Sequence, residues 1–197
     1  MGSPELPDYL DDLAMDGRFL RWPREKLPLR IFIESGTSVQ GYTDSFRRAF
    51  DEALAAWQKG CGYRLSFAPA NSAADADMVV NWSSDYAGVK GESTGAEAGI
   101  ANLDIEELPS GERLITGVKI TLLTVEHEGT PVTEEGMKKT CLHEIGHALG
   151  LRGHSSNNRD VMFFSESGSV WPALTKRDKA TLTRLYADYP PQDAMRR

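Results

Sequence analysis

Three of the four histidines of this chain lie between residues 143 and 154, and their spacing suits hydrolysis at a zinc ion. His143 and His147 are four residues apart, so on an α-helix both imidazoles lie on one face, one turn apart. Glu144 projects about 100° further around that helix, where a carboxylate reaches a water molecule and not the ion itself. This pattern predicts a metal site with Glu144 as general base.

A third ligand has to come from outside the helix, because one straight helix cannot surround an ion. Gly150 marks the predicted stop, since glycine tolerates a left-handed backbone and commonly follows the last helical residue. The returning chain then brings His154 to the ion from a loop. Three neutral imidazoles leave a fourth position open for water, which is typical of catalytic zinc sites and not of structural ones.

Two alternatives to this interpretation remain open. Glu166, which follows His147 at a plausible distance, would replace His154 as third ligand, although Gly150 and Gly153 break the helix early. A non-catalytic, zinc-stabilised binding module is a different class of protein, but such a module has no need of Glu144. The fourth histidine, His127, is predicted to be a surface residue.

The elements that must position these groups follow from caps and periodicity. Thr133 is the predicted N-cap of the active helix, and Thr175 begins a C-terminal helix in a capping-box pattern with Asp178. A third amphipathic helix begins at Thr43 or Asp44 and ends at Gly60. Alternating or apolar runs predict strands at 28–34, 63–67, 77–82, 99–103 and 117–123.

Composition limits the class of protein. The chain has 197 residues, 40% of them hydrophobic and 26% charged, which is typical of one soluble globular domain. A net charge of −7 argues against a nucleic-acid-binding protein, which carries a basic face. No apolar run approaches the ~18 residues that span a bilayer. Cys61 and Cys141 are expected to be buried free thiols, with a bridge between them as the alternative.

The segment 143–154 resembles the metzincin metalloprotease signature H-E-x-x-H-x-x-G-x-x-H, which precedes a methionine turn. Gly153 occupies the place of the last histidine and His154 follows it, so we interpret the loop as one residue longer, with Gly153 in an unusual backbone conformation. His154-Ser155, and Met162 eight residues after His154, are similar to the matrixin branch. Phe164 stands where astacins and serralysins have a tyrosine.

The resemblance to matrixins extends over about residues 21–190, since 21–33, 75–82 and 174–186 are similar to matrixin strands and to the last matrixin helix. Residues 1–20 are predicted to form an N-terminal tail or short pro-segment, and 191–197 a second tail. Loose order is the expectation for the first tail. The alternative is a latency segment that places an aspartate on the zinc.

The fold that the resemblance implies is the α+β zincin fold of metzincins. It has a twisted five-stranded, mostly parallel sheet with one antiparallel edge strand, two long helices and a C-terminal helix. The edge strand, around 98–103, would bind an extended peptide as an additional strand. The implied activity is zinc-dependent endopeptidase cleavage of proteins or peptides by a monomer. A secreted or extracellular location is implied by the resemblance alone. No signal peptide is recognisable in the sequence.

The resemblance also implies roles for individual residues. Met162 would form a packing floor below the histidines, and Lys139, one turn before His143, would narrow the pocket for the residue after the cut, with a solvated lysine as the alternative. The residues implied to bind substrate are Lys139, Ala98, Gly99, Ile100, Ala101, Phe163 and Phe164, with Trp171 beside them. Calcium binding or a solvated acidic face is predicted at Glu97, Asp104, Glu106, Glu107 and Glu112.

Overall fold

The structure is a computed structural model that describes residues 8–14, 17–85, 98–126, 129–164 and 172–191. In chain order its strands and α-helices are β1 (Leu20–Arg21), β2 (Leu29–Ile33), α1 (Asp44–Gly60), β3 (Phe67–Pro69), β4 (Met78–Ser83), β5 (Gly99–Glu107), β6 (Arg113–Leu123), α2 (Glu134–Ala148) and α3 (Lys176–Leu185). Short 3-10 helices lie at Leu10–Leu13, Arg24–Lys26 and Ala73–Asp75. No helix among the described residues is long and apolar enough to cross a membrane.

The strands form one mixed sheet of the predicted kind. β3, β2, β4 and β6 lie side by side in that order and run parallel, and β5 pairs antiparallel with β6 at the edge. The short strand β1, which was not predicted, pairs with Arg113 and Leu114 in β6. Both edge-hairpin strands are also longer than expected, since β5 continues to Glu107 and β6 begins at Arg113.

The helices cover the sheet as their apolar stripes predict. Five residues of α1 are buried, and α1 packs against α2, which in turn packs against β5 and β6. The C-terminal helix α3 begins in the predicted capping box, with the Thr175 and Asp178 side chains each accepting a hydrogen bond from the other's backbone N–H. This packing places α2 between the edge hairpin and α1.

The predicted strand at 63–67 is wrong over most of its length. Gly62 and Tyr63 both have left-handed backbones, with φ of 63° and 57°, so the chain turns sharply after α1. Strand pairing begins only at Phe67, where β3 joins Leu29 of β2. The alternating pattern of 63–67 reflects burial of Leu65 in the core instead of strand pairing.

The N-terminal segment is more ordered than a loose tail, which corrects that expectation for residues 8–14. Leu10 and Leu13 are buried in the core, and Asp8 and Asp11 form ion pairs with Arg184 of α3. Neither of these aspartates therefore offers its carboxylate to the histidines, as the latency alternative would require. Asp16 lies outside the described residues, and the domain division at residue 20 stays a prediction.

Both cysteines are buried free thiols, as expected, and the alternative of a bridge between them is wrong. Burial raises the pKa of the Cys61 thiol and of the Cys141 thiol. Both side chains therefore behave as small apolar core residues.

Candidate active site

Helix α2 carries the first two histidines and is fixed at its start by the predicted cap. The Thr133 hydroxyl accepts a hydrogen bond from the backbone N–H of Gly136 at 3.0 Å, and Glu134 and Glu135 lie in the first turn, where negative charge suits the helix dipole. The helix then continues to Ala148.

Three aromatic side chains from other elements hold carbonyl groups near the C-terminal end of α2. Two of these carbonyls, those of Ala148 and the C-cap Leu149, lie at the helix end, where a carbonyl has no partner inside the helix and a buried one needs another donor. The third, that of Leu142, lies within the helix. No local sequence signal indicates these contacts, because the donors come from remote parts of the chain. The bonds are Trp57 Nε1 to Leu142 O at 2.8 Å, Trp22 Nε1 to Ala148 O at 2.8 Å, and Tyr186 Oη to Leu149 O at 3.0 Å.

The helix ends at Gly150 as predicted. Gly150 has φ of 101°, its N–H donates to the His147 carbonyl, and the N–H of Leu151 reaches back to the Gly146 carbonyl. This pair of hydrogen bonds is a Schellman motif. A Cβ on Gly150 would also overlap the carbonyl oxygen of Leu20, so glycine is required there for both backbone conformation and space.

The turn brings the three predicted histidines together. One ring nitrogen from each of His143, His147 and His154 lies within 4.8 Å of the others, and this is the one such group of potential metal ligands in the described part of the chain. The Nε2 atoms of His143 and His147 are 3.0 Å apart. The His154 ring stacks nearly parallel to His143, with centroids 5.3 Å apart.

Hydrogen bonds determine which nitrogen of each helical histidine faces the centre. His143 Nδ1 lies 2.8 Å from the Val161 carbonyl oxygen, and His147 Nδ1 lies 2.7 Å from the Leu151 carbonyl oxygen. A carbonyl oxygen only accepts, so each Nδ1 carries the proton and each Nε2 presents a lone pair.

This arrangement fits a zinc ion. Two neutral imidazoles whose lone pairs face each other at 3.0 Å repel unless a cation lies between them. Tetrahedral zinc with Zn–N bonds of 2.0–2.1 Å needs nitrogens about 3.3 Å apart, which is close to the observed spacing. The donor set of His143, His147 and His154 therefore has the chemistry and the spacing that zinc requires.

Burial also favours the protonation state that binds metal. It lowers the pKa of His143 to about 4 and that of His147 well below the ordinary value, because charging a desolvated imidazole is costly. Both rings are therefore neutral at physiological pH, and a neutral imidazole is the metal-binding form.

Glu144 is buried, with 4% of its surface exposed, and lies against the start of the edge strand. A Cβ added to Gly99 would come within 2.8 Å of Glu144 Cγ and 2.9 Å of Thr140 Cγ2. The missing side chain of Gly99 therefore lets β5 approach α2 closely at the glutamate. Ala98 is exposed next to it, and Ile100 and Ala101 follow along the strand, half-buried.

The segment after the third histidine packs beneath and beside the rings. Met162 is fully buried, and a Cβ on Gly146 would overlap its sulfur. The methionine therefore lies directly against α2 at Gly146, which lies between the two helical histidines in the sequence. Phe164 contacts the His154 ring edge to face at 5.2 Å between centroids. Phe163 packs on the core, and its backbone bridges to Ser155.

The prediction that Gly153 accommodates the extra loop residue through an unusual backbone conformation is wrong. Gly153 does not have a left-handed backbone, although Gly150 in the same loop does. What Gly153 provides is space, because a Cβ there would lie 3.2 Å from Leu13 Cδ2 of the N-terminal segment. The extra residue is therefore accommodated by close packing and not by an unusual φ.

A buried polar network supports this loop and was missed by sequence reasoning. Asp160 accepts hydrogen bonds from Ser155 Oγ at 2.5 Å and from Arg177 Nε at 3.1 Å. Asp178 accepts one from the Val161 N–H at 3.1 Å. The capping pattern indicated Asp178 as a helix cap, but not that the same carboxylate also holds the loop.

The remaining predicted residues either form ion pairs with other side chains or lie outside the described residues. Lys139 Nζ lies 3.0 Å from Glu135 on the same helix. Two of the acidic residues proposed for calcium are engaged by arginines, Glu107 by Arg18 and Arg113, and Glu112 by Arg21. Glu97, His127, Glu166 and Trp171 lie outside the described residues.

Comparison with known proteins agrees with this geometry. A family model described as Matrixin matches residues 21–187, which is most of the chain. The chain belongs to the matrixin family. Matrixins use a catalytic zinc, and the three-histidine group could hold such an ion.

A metalloendoproteinase of Arabidopsis thaliana, 5-MMP, is similar to this matrixin at 29% identity over 210 residues. The alignment covers 98% of the present chain and 56% of the relative. This matrixin therefore spans a little over half the length of that relative.

Proposed function

We propose that this matrixin is a zinc-dependent endopeptidase with His143, His147 and His154 as metal ligands and Glu144 as general base. One observation supports this most directly. The two helical histidines present facing Nε2 lone pairs at 3.0 Å with the third ring beside them, and Glu144 is buried next to the first. A structural zinc site has no use for a buried carboxylate outside its ligand set.

The chemistry divides between the ion and the chain. When bound in a site of this kind, zinc lowers the pKa of a water to about 7 and polarises a carbonyl. Glu144 takes a proton from the attacking water as the water oxygen bonds to the scissile carbonyl carbon. The same carboxyl then gives that proton to the amine nitrogen as the C–N bond breaks, so the base is regenerated.

The edge strand positions the substrate in this proposal. β5 pairs with β6 on one side, and no strand among the described residues pairs with its other side. An extended peptide that adds to that side is held by backbone hydrogen bonds, with little demand on its sequence. Because Gly99 brings β5 against Glu144, a peptide aligned there passes close to the base.

The proposed pocket for the residue after the cut lies between α2 and the segment that includes Phe163 and Phe164, with Lys139 at its floor. Lys139→Leu removes the ion pair with Glu135 and a positive charge from a side chain that is 25% exposed. We expect cleavage-site profiling to show a shift toward larger apolar residues after the cut. The matched control is Lys138→Leu, since the Lys138 side chain is directed toward α1, where it pairs with Glu52. A Lys139→Leu profile identical to the parent would rule out the pocket assignment.

The proposed function is tested by metal analysis together with proteolysis. We expect about one zinc per chain, loss of casein cleavage on removal of the metal by a chelator, and recovery when zinc alone is restored. A protein that binds zinc but cleaves no peptide in a broad library would instead be the non-catalytic module. The family resemblance further predicts a monomer located outside the cell, with calcium binding as a separate prediction.

A further inference from the structure

The proposed chemistry makes no use of the N-terminal segment, yet Tyr9 is among the more buried residues of the molecule. Only 2% of its surface is exposed, and its backbone N–H donates to Thr181 Oγ1 of α3 at 3.1 Å. Its ring also lies under the Arg177 guanidinium, 5.4 Å from the ring centroid. An acidic tail would not need so many specific contacts to a distant helix.

A series of hydrogen bonds connects Tyr9 with the first histidine. The Tyr9 hydroxyl donates to Asp178 Oδ1 at 2.6 Å, and the same carboxylate accepts from the Val161 N–H at 3.1 Å. The Val161 carbonyl then accepts from His143 Nδ1 at 2.8 Å. Three consecutive bonds therefore join the N-terminal segment to the ring that presents its Nε2 to the metal position.

The Tyr9 hydroxyl is the donor in the first bond of this series. Burial, and then the negative charge of Asp178, raise the pKa of the Tyr9 hydroxyl far above its ordinary range. Tyr9 therefore remains a donor, and the Asp178 carboxylate receives a short O–H···O⁻ bond of the strong, charge-assisted kind.

The same segment reaches the loop of the third histidine by a second route. Leu13 packs against Gly153, where a Cβ would lie 3.2 Å from Leu13 Cδ2 and 3.5 Å from its Cα. Gly153 is the residue by which this loop exceeds the usual metzincin length, and His154 follows it directly. The N-terminal segment thus contacts the supports of two different ligands.

We propose that Tyr9 is a positioning residue for the metal site, holding the His143 ring in place through the carboxylate of Asp178. This inference rests on the proposed function, because it takes His143 as a ligand. Partners that orient metal-bound histidines commonly change metal affinity 10–100-fold when removed. Tyr9 acts two hydrogen bonds further away, so we expect roughly a 3- to 10-fold effect.

The test compares Tyr9→Phe with Tyr189→Phe in the full-length chain. Tyr189 is a matched control, since it is also buried and its hydroxyl donates to the Trp22 carbonyl at 2.7 Å instead of to the part of the histidine loop that the structure describes. Zinc affinity is measured by competition with a chromophoric chelator, and the ligand field by the absorption of the cobalt-substituted protein. Thermal unfolding of the metal-free proteins is measured alongside to compare their stability.

For Tyr9→Phe we expect zinc affinity to fall roughly 3- to 10-fold and the cobalt spectrum to shift, whereas Tyr189→Phe keeps both at the parental values. Unchanged zinc affinity in Tyr9→Phe would overturn the inference and leave the proposed function intact. Equal losses in both variants would overturn it too, since they would reflect general loosening of the fold. A parent protein that binds no zinc would refute the proposed function itself.

Discussion

Replacing Glu144 with alanine is expected to leave zinc binding intact and to lower kcat/KM for peptide cleavage by about 10²–10⁴-fold. In the proposed site the glutamate is not a zinc ligand, so its loss is expected to remove proton transfer and not the metal. It is 4% exposed and lies against Gly99, so the smaller alanine side chain introduces no steric conflict with the edge strand. The measurement is cleavage of a casein-type substrate together with zinc content by elemental analysis.

Glu134→Ala is the matched control for this experiment. It makes the same chemical change on the same helix, but at a carboxylate that is 64% exposed and 3.9 Å from its nearest cationic partner, Arg48. We expect it to keep parental activity, since exposed pairs of this kind contribute little. Full activity in Glu144→Ala would end the assignment of Glu144 as base, whereas loss of zinc in that variant would place its carboxylate among the ligands.

Replacing His154 with alanine is expected to weaken zinc binding by more than about 100-fold. Mutation of a residue that only orients a metal ligand already lowers metal affinity roughly 10–100-fold. The His154 ring lies 5.3 Å from His143 and 5.1 Å from His147, centroid to centroid, which supports its proposed role as the third donor. Zinc affinity by chelator competition is the measurement. Activity should fall with it at limiting zinc.

The contrasting variant is Glu166→Ala, which addresses the alternative third ligand directly. If His154 is the ligand, Glu166→Ala keeps parental zinc affinity. The opposite result, with zinc lost from Glu166→Ala and retained by His154→Ala, would replace the three-histidine site with a glutamate-containing one. Together the two variants assign the third ligand without reference to activity.

Local patterns predicted the elements that carry the site because each depends on near neighbours in the chain. The stripe of Phe46, Phe50 and Trp57 is buried on α1, the Thr175 capping box begins α3, and Gly150 ends α2. Each involves residues within about one to four turns of one another, so a short stretch of sequence contains the physical cause. The prediction of a strand at 63–67 was wrong because the burial of Leu65 between more exposed neighbours produces the same alternating pattern as a strand.

Local patterns could not predict contacts between parts of the chain that are far apart in sequence. The tail expectation for Tyr9 followed from its acidic neighbours, but its burial depends on α3, about 170 residues away. Likewise, the carbonyl partners of His143 and His147 are backbone atoms, which have no residue-type signature.

The sequence by itself determined the chemistry that we propose, because two histidines and a glutamate at helical spacing, with a glycine stop and a further histidine, already name the groups that the proposal uses. Only the tertiary structure decided how those groups are held. Closure of the loop places the Val161 and Leu151 carbonyls on the Nδ1 atoms and turns both Nε2 lone pairs inward. Spacing along a chain specifies which groups can meet, whereas the orientation of a ring depends on the atoms that packing brings to its other side.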